Sequence, residues 1–487
     1  MGLRRLIPRS TLHRAILCGT LLLFVLFALR GVRRGLRAGG NDFTIYYESA
    51  RQVLEGGDPL SIPGSIYLPS FDVLLAPLAL LPYAAALWVW QAVGLAALLW
   101  GWKRCLELVG PALERRPWVS WAALLAVARL ADSNFAYGQV NTLTFALVAE
   151  AGFRLREHRH GASAAALGLG AALKIVPGAF CLWLFLRGAW RAALLSVLAA
   201  ALWILVPTFA VLGNERAVDS FARWGRDVLA PAVHGGTRLF EAREYAPGQS
   251  LAAACYRLLS ATPSTSRGQE GPRANLLDLS VDTTHGIVLA LSAVHLCLWV
   301  VLALRARPRP GSGTRPGREG DRHGERDMFL LALAVTMVLV LAPMVHKAHL
   351  VWLLLPYSAL MCFPSRLPGR ARTARDIFFW VSVGLMGLSA PALLGDRLAS
   401  WLLERNILFL GLECALIAVG LELWGLGRNG PSLEHPPSDT PERPPEAARP
   451  HASEEVRRTQ VDRLPALALG RGPGGAAADA ERGLHPR

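Results

Sequence analysis

The sequence predicts an all-α polytopic membrane protein with about twelve transmembrane helices. Three observations carry this. The 487 residues are 53% hydrophobic, with a positive mean hydropathy of +0.33, too apolar for one soluble domain of that length. Apolar runs of about 15 to 24 residues recur, and about 20 residues of helix cross a bilayer. Arginines gather in the short stretches between these runs, as the positive-inside bias predicts. A β-barrel would show alternating ten-residue segments, which are missing here. The net charge of +15 therefore reads as loop arginines rather than as a nucleic-acid footprint.

In chain order, Met1 to Arg14 is basic and precedes a first span at about 15–29. It lacks a small-residue cleavage site, so it reads as a retained span rather than a signal peptide. Arg30, Arg33, Arg34 and Arg37 follow and break the positive-inside pattern. They suit anionic lipid or a phosphate, or else the first span sits differently. Residues 42–57 predict an interfacial helix ending at Gly56-Gly57. The short apolar run after Tyr67, interrupted by Pro77 and closed by Pro82, predicts an interfacial or re-entrant piece. Spans follow at about 83–102, 118–132 and 141–154. A hairpin at 162–186 is broken at Lys174 and Pro177, and a long span covers 190–212. Residues 213–280 read as an outer region. Further spans are expected at about 281–304, 328–342, 349–363, 376–395 and 406–426. Residues 305–327 read as a flexible Arg-rich cytoplasmic loop and 428–487 as a disordered cytoplasmic tail. Both termini then lie in the cytoplasm.

The seven cysteines show no CxxC pair and no tight spacing, which argues against a disulfide framework or a metal cluster. No DxD-like metal motif stands in an outer loop, Asp132-Ser133-Asn134 being the nearest. No Walker motif or dinucleotide fingerprint occurs. In this topology three polar stretches share the outer face: Asp42 with its helix, Asp132 to Asn141, and Ala342 to His349. Lys174 can face them from the break in its hairpin. Ionisable groups at membrane depth are costly, so their clustering marks a site. Asp42 suits a general base kept partly dry, or the N-cap of the helix that follows, and the two roles can coexist.

The chain resembles glycosyltransferase family 87, the polyprenyl-phosphate-mannose-dependent mannosyltransferase-like enzymes of the C-type membrane architecture, formerly a domain of unknown function. Five blocks in order carry the resemblance. They are Asn41-Asp42-Phe43…Tyr46-Tyr47…Gly56-Gly57-Asp58-Pro59 with Tyr67-Leu68-Pro69; Tyr137-Gly138-Gln139-Val140-Asn141; Leu173-Lys174-Ile175-Val176-Pro177 with Arg187 and Trp190-Arg191; Gly248-Gln249-Ser250-Leu251; and Leu341-Ala342-Pro343…His349…Trp352…Leu355-Pro356. The sequence departs from the family pattern in having one proline after Tyr67, Gly248 before Gln249-Ser250, and histidines split as His346-Lys347-Ala348-His349.

The resemblance implies a transmembrane glycosyltransferase domain over 1–427. It implies an inverting hexosyltransferase of the plasma membrane, active on the outer face. A hexose, with mannose the family's best-known sugar, would pass from a polyprenyl-phosphate donor to a glycolipid or cell-envelope glycan. The lipid-linked donor is a substrate, and neither cofactor nor metal is expected. Asp42 would be the base. His349 would hydrogen-bond the leaving phosphate or relay a proton, or simply cap a helix, with His346 as its competitor. Lys174 and Lys347 are candidates for the donor phosphate; an ion pair for the first and solvent for the second are the structural alternatives. Gln139, Asn141, Gln249 and Ser250 are candidates for sugar or acceptor. Tyr46, Tyr47 and Tyr67 either stack on sugar or join the interfacial aromatic belt. A transporter or lipid-linked sugar flippase, and a non-catalytic assembly factor, are the competing classes.

Overall fold

Helices make up almost the whole computed structural model, which describes residues 10–37, 39–230, 248–261, 265–266, 269–270, 274–307 and 319–428. One contact unit runs from Met1 to Gly430. The second, Pro431–Arg487, and the tail expected there lie outside the described residues, as do 308–318 of the Arg-rich loop. The described exception to helix is a two-residue antiparallel ladder, Thr265–Ser266 with Gln269–Glu270.

The first helix, α1 (Thr11–Gly35), runs past the expected end of the first span. Arg30, Arg33 and Arg34 therefore lie in its last turns and not in a loop. A Cβ on Gly31 between them would clash with Phe135 O, so close packing holds the helix there. After Gly40 comes α2 (Asp42–Glu55), closed by Gly56 in the left-handed conformation. Its Phe43, Tyr46, Tyr47, Ala50 and Val53 recur at helical spacing and are buried. The first four pack with Phe71 of α3 (Pro69–Ala79) and with Leu87 and Trp90 of α4 (Tyr83–Val109), while Val53 joins Val73 and Ala76 of α3. Pro69 opens α3, which at 11 residues is far too short to span.

The expected span at 118–132 is broken. A four-residue turn, α5 (Ala112–Arg115), leads to α6 (Val119–Ala126), and α7 (Ala128–Tyr137) starts again after Val127. Then come α8 (Asn141–Arg156), α9 (His160–Leu173), a 3₁₀ turn at Val176–Ala179, α10 (Phe180–Leu186) and α11 (Trp190–Leu212). The break at Lys174 is where the sequence places it: Lys174 is extended, and Pro177 opens the turn that follows. A Cβ on Gly168 would lie 2.6 Å from the Ala199 main chain, so glycine lets α9 and α11 pack backbone to backbone.

The remainder is α12 (Asn214–Trp224), α13 (Leu251–Leu259), α14 (Val281–Arg305), α15 (Glu319–Leu341), a 3₁₀ turn at Lys347–Leu353 leading into α16 (Leu354–Cys362), α17 (Gly369–Leu388), α18 (Pro391–Glu404) and α19 (Ile407–Arg428). The sequence reading lacks α18, and it starts α15 nine residues late. Among the described residues five helices are long and apolar enough to cross a membrane: α1, α4, α11, α14 and α19. Leu194, Val197, Leu198, Leu202 and Val206 of α11 are exposed, as a lipid-facing wall requires. Reaching about twelve crossings would need the shorter apolar helices to cross in broken pieces.

At the ends of α4 and α8 lies a buried ion network. Arg104 donates to Glu150 and to Glu107, each at 2.5 Å, and Arg154 donates to Glu150 at 2.6 Å. Glu150→Ala leaves Arg104 with half its compensation. It is expected to destabilise the protein by on the order of 3 kcal/mol, read as a lowered unfolding midpoint in detergent.

Candidate active site

Four links between helices meet at one end of the bundle. The link from α1 to α2 brings Asp42, that from α7 to α8 brings Gln139 and Asn141, that after α9 brings Lys174, and that after α15 brings His346 and His349. All lie outside the five long apolar helices.

Local geometry frees Asp42 for this site. The N-cap of α2 is Asn41, whose side chain accepts from Phe43 N at 3.1 Å while Thr44 Oγ1 accepts from Asn41 N. Asp42 is thus the first residue of the helix and not its cap, and its carboxylate turns to Gln139. Gly138 makes this meeting close. It is left-handed, with φ 66°, and a Cβ there would lie 2.9 Å from Phe43 Cβ. Trp90 Nε1 donates to Gly138 O at 2.7 Å and pins the loop.

A single hydrogen-bonded chain joins the side chains of five of the expected residues and the main chain of a sixth, His346. Gln139 Nε2 donates to Asp42 Oδ2 at 2.5 Å, and Asn141 Nδ2 donates to Gln139 Oε1 at 2.7 Å. Lys174 Nζ donates to Asn141 Oδ1 at 2.8 Å and lies 2.7 Å from His349 Nε2. His349 Nδ1 accepts from His346 N at 3.1 Å. Trp352 Nε1 donates to Asn141 O at 2.9 Å, locking the turn at Lys347–Leu353 onto the start of α8.

The donor directions fix the charges. Burial, with Lys174 alongside, holds the His349 imidazole well below its usual pKa, so it is neutral. Its Nδ1 is an acceptor, so its proton sits on Nε2 and points at Lys174. The uncharged form of the Lys174 amine can accept there. Burial lowers this amine to about 7, with Asp42 the charge that opposes the shift. Burial also raises the Asp42 carboxyl above its ordinary value, against the Gln139 hydrogen bond, the charge of Lys174 in its protonated form and that of Arg34. Every donation runs the same way, from His346 N through His349, Lys174, Asn141 and Gln139 to the Asp42 carboxylate. Such chains polarise one another.

A family model described as glycosyltransferase family 87 matches residues 66–316, just over half of the chain. The chain belongs to glycosyltransferase family 87. It is also 30% identical over 159 residues to a polyprenol-phosphate-mannose-dependent alpha-(1-2)-phosphatidylinositol pentamannoside mannosyltransferase of Mycolicibacterium smegmatis. That match covers 29% of this chain and 38% of the relative, so the chain is matched to well under half of that protein's length. No solved structure matches. The matched stretch includes Tyr67, Gln139, Asn141 and Lys174, while Asp42, His346 and His349 stand outside it.

The other expected residues of this membrane glycosyltransferase divide. Tyr46 and Tyr67 share a hydroxyl–hydroxyl hydrogen bond of 2.8 Å, and Lys174 Nζ lies 5.9 Å from the Tyr67 ring centre. They border the chain, Tyr46 buried and Tyr67 partly so. Tyr47 is turned away, donating to Leu81 O at 2.8 Å and packing edge-on to Tyr83. Lys347 is half-buried and faces Asp132, Arg129 and Arg34. Gln249 and Ser250 stand outside the hydrogen-bonded chain but beside the segment that leads to His346: Gln249 N donates to Val345 O at 2.6 Å. The Gln249 side chain donates to Leu403 O at 2.9 Å. Ser250 donates to Pro343 O at 3.0 Å and caps α13. The arginines after the first span also find places: Arg30 pairs with Asp132 at 2.8 Å and Arg34 lies 4.4 Å over the Tyr137 ring.

One buried acid escaped sequence reasoning. Asp72, in the first turn of α3, is 2% exposed, and its Oδ2 has no hydrogen-bond partner among the described residues. Burial raises it far above the carboxylate range, with Asp58 adding to the shift. The signal was an acidic residue in the short apolar run after Tyr67. Gly138→Ala forces a Cβ onto a left-handed backbone against Phe43. It is expected to cost about 1–3 kcal/mol, measured as a lower unfolding midpoint.

Proposed function

We propose that the chain is an inverting hexosyltransferase. It moves a hexose, mannose being the sugar named for its relative, from a polyprenyl-phosphate donor to a glycolipid or envelope-glycan acceptor. The observation that carries this is the unbroken hydrogen-bonded chain from Asp42 to His349, with a base at one end and a phosphate-seeking amine near the other. A polytopic enzyme of about twelve crossings, in the plasma membrane and with this end outward, accommodates a donor and an acceptor that both reside in lipid.

In the proposed reaction the acceptor hydroxyl oxygen attacks the anomeric carbon as its bond to the phosphate oxygen breaks. The hydroxyl proton passes to Asp42. Gln139 holds Oδ2, which leaves Oδ1 to meet the acceptor. Attack opposite the leaving group inverts the anomeric centre. The released phosphate carries the displaced electron pair. Lys174, protonated as the donor enters, and His349 Nε2–H supply hydrogen bonds to it. Lys347, Arg30 and Arg34 add positive charge on the same side.

The test is transfer of labelled mannose from polyprenyl-phosphate mannose to membrane glycolipids by the purified full chain. Asp42→Asn is expected to lower kcat about 10²- to 10⁴-fold, the usual worth of a general base. Undiminished transfer by Asp42→Asn would move the base elsewhere, and failure of the wild type across several lipid-linked sugars would remove the donor class.

The pH dependence has a defined sign. Asp42 works ionised, and burial raises it, so kcat/KM falls on acidification at a higher pH than for an ordinary carboxyl. Lys174 must bear its proton to meet the phosphate, and in the free enzyme it loses that proton near pH 7. The profile of kcat/KM for the donor is expected to be a bell whose alkaline limb begins near neutrality. Lys174→Met is expected to raise the donor KM and to flatten that limb.

A further inference from the structure

The end of the bundle opposite the catalytic chain holds a cavity of 560 Å³. Three helices fix its position. Asn141 opens α8 at the site and Arg156 closes it at the cavity. His160 opens α9 at the cavity and Leu173 closes it beside Lys174. On α15, Asp327 lies at the cavity end and Leu341 at the end that leads to His346. The 16 residues of α8 separate the two places by roughly 22 Å at 1.5 Å per residue.

The lining is strongly cationic: Arg156, Arg187, Arg307 and Arg326, with His158 and His160. Asp327 is the acidic residue lining it among those described, and it is engaged with Arg187, whose Nε donates to Oδ1 at 2.9 Å. Neutral main-chain carbonyls hold the other three arginines. Arg156 Nη1 donates to Leu108 O at 2.5 Å, and Arg307 donates to Leu186 O at 2.6 Å and to Phe185 O at 3.1 Å. Arg326 Nη2 donates to Arg307 O at 3.3 Å. Carbonyls orient these guanidinium groups without neutralising them. Among the described residues, Arg326 Nε and His160 Nδ1 have no hydrogen-bond partner. The catalytic reading uses none of these groups, though the Arg187…Trp190-Arg191 block lies here.

Beside the cavity the wall is apolar and outward. Phe185, Trp190 and Leu194 are each more than half exposed. A cationic pocket edged by a lipid-facing wall suits a phosphate group that enters on an acyl-chain anchor.

We propose that this cavity is a second anion site, which takes a phosphate-bearing group at the membrane face opposite the catalytic chain, with an anionic phospholipid headgroup as the source its apolar flank favours. Preorganised guanidinium forks match phosphate oxygens bidentately.

The experiment uses native mass spectrometry of the full chain in detergent with phosphatidylglycerol or phosphatidylcholine, and thermal unfolding with and without inorganic phosphate at constant ionic strength. The wild type is expected to retain phosphatidylglycerol in preference to phosphatidylcholine. The double variant Arg307→Gln/Arg326→Gln should lose roughly tenfold of that preference, and Arg307→Lys/Arg326→Lys should keep much of it. Stabilisation of the wild type by inorganic phosphate, without lipid preference and lost in the glutamine variant, would assign the site to a soluble phosphate and so uphold it. Equal retention of both lipids together with no phosphate effect would overturn it. So would either effect persisting in the glutamine variant. If the glutamine variant does not fold, the two wild-type arms decide alone.

Discussion

The site depends on a lysine amine removed from water. Lys174 stands in an extended break between two apolar segments, where a charged ammonium is costly. Burial lowers the amine to about 7, and its uncharged form fits between one acceptor, Asn141 Oδ1, and one donor, His349 Nε2. Everything beside it follows from this constraint. The His346 main chain must set the tautomer of His349, Trp352 must lock the histidine turn to α8, and Asn141 and Gln139 must be amides, which donate and accept at once. The same burial that lowers the Lys174 amine raises the Asp42 carboxyl.

Much of this was legible in the sequence, for physical reasons. Asp42, Gln139, Asn141, Lys174 and His349 are polar residues next to apolar runs, and such residues need partners. That they partner one another follows from the ends of α1, α7, α9 and α15 meeting. The arrangement also separates His349 from His346: the ring of the first bonds Lys174, while the second contributes its main-chain N–H. Spans α11 and α14 were legible because unbroken apolar runs of about 25 residues have one solution in lipid.

What was not legible has equally physical causes. Asn41 and Asp42 are both good N-caps, and local sequence does not choose between them. The choice falls to Asn41 because its amide also reaches Ala136 O, a residue 95 positions away. Gln249 and Ser250 are candidates through the Gly248-Gln249-Ser250-Leu251 block, and the structure ties them to main-chain groups of Leu403 and Pro343, partners that local sequence does not reveal. The break at Val127 lies in apolar sequence whose hydropathy does not reveal a turn. Asp72 was passed over because it has no polar neighbour in sequence, and burial with an unpartnered oxygen became visible only in three dimensions.

The claim at the centre of this account is that Lys174 rests uncharged and takes up a proton when a donor phosphate arrives. Calorimetry of donor binding tests it directly. The heat of binding a short-chain polyprenyl-phosphate mannose to the full chain would be measured at about pH 8, above the lowered lysine value, in buffers of different ionisation enthalpy. The account predicts uptake of about one proton per donor bound, absent in Lys174→Met. A binding heat independent of the buffer in the wild type would show Lys174 already charged, and would contradict the account.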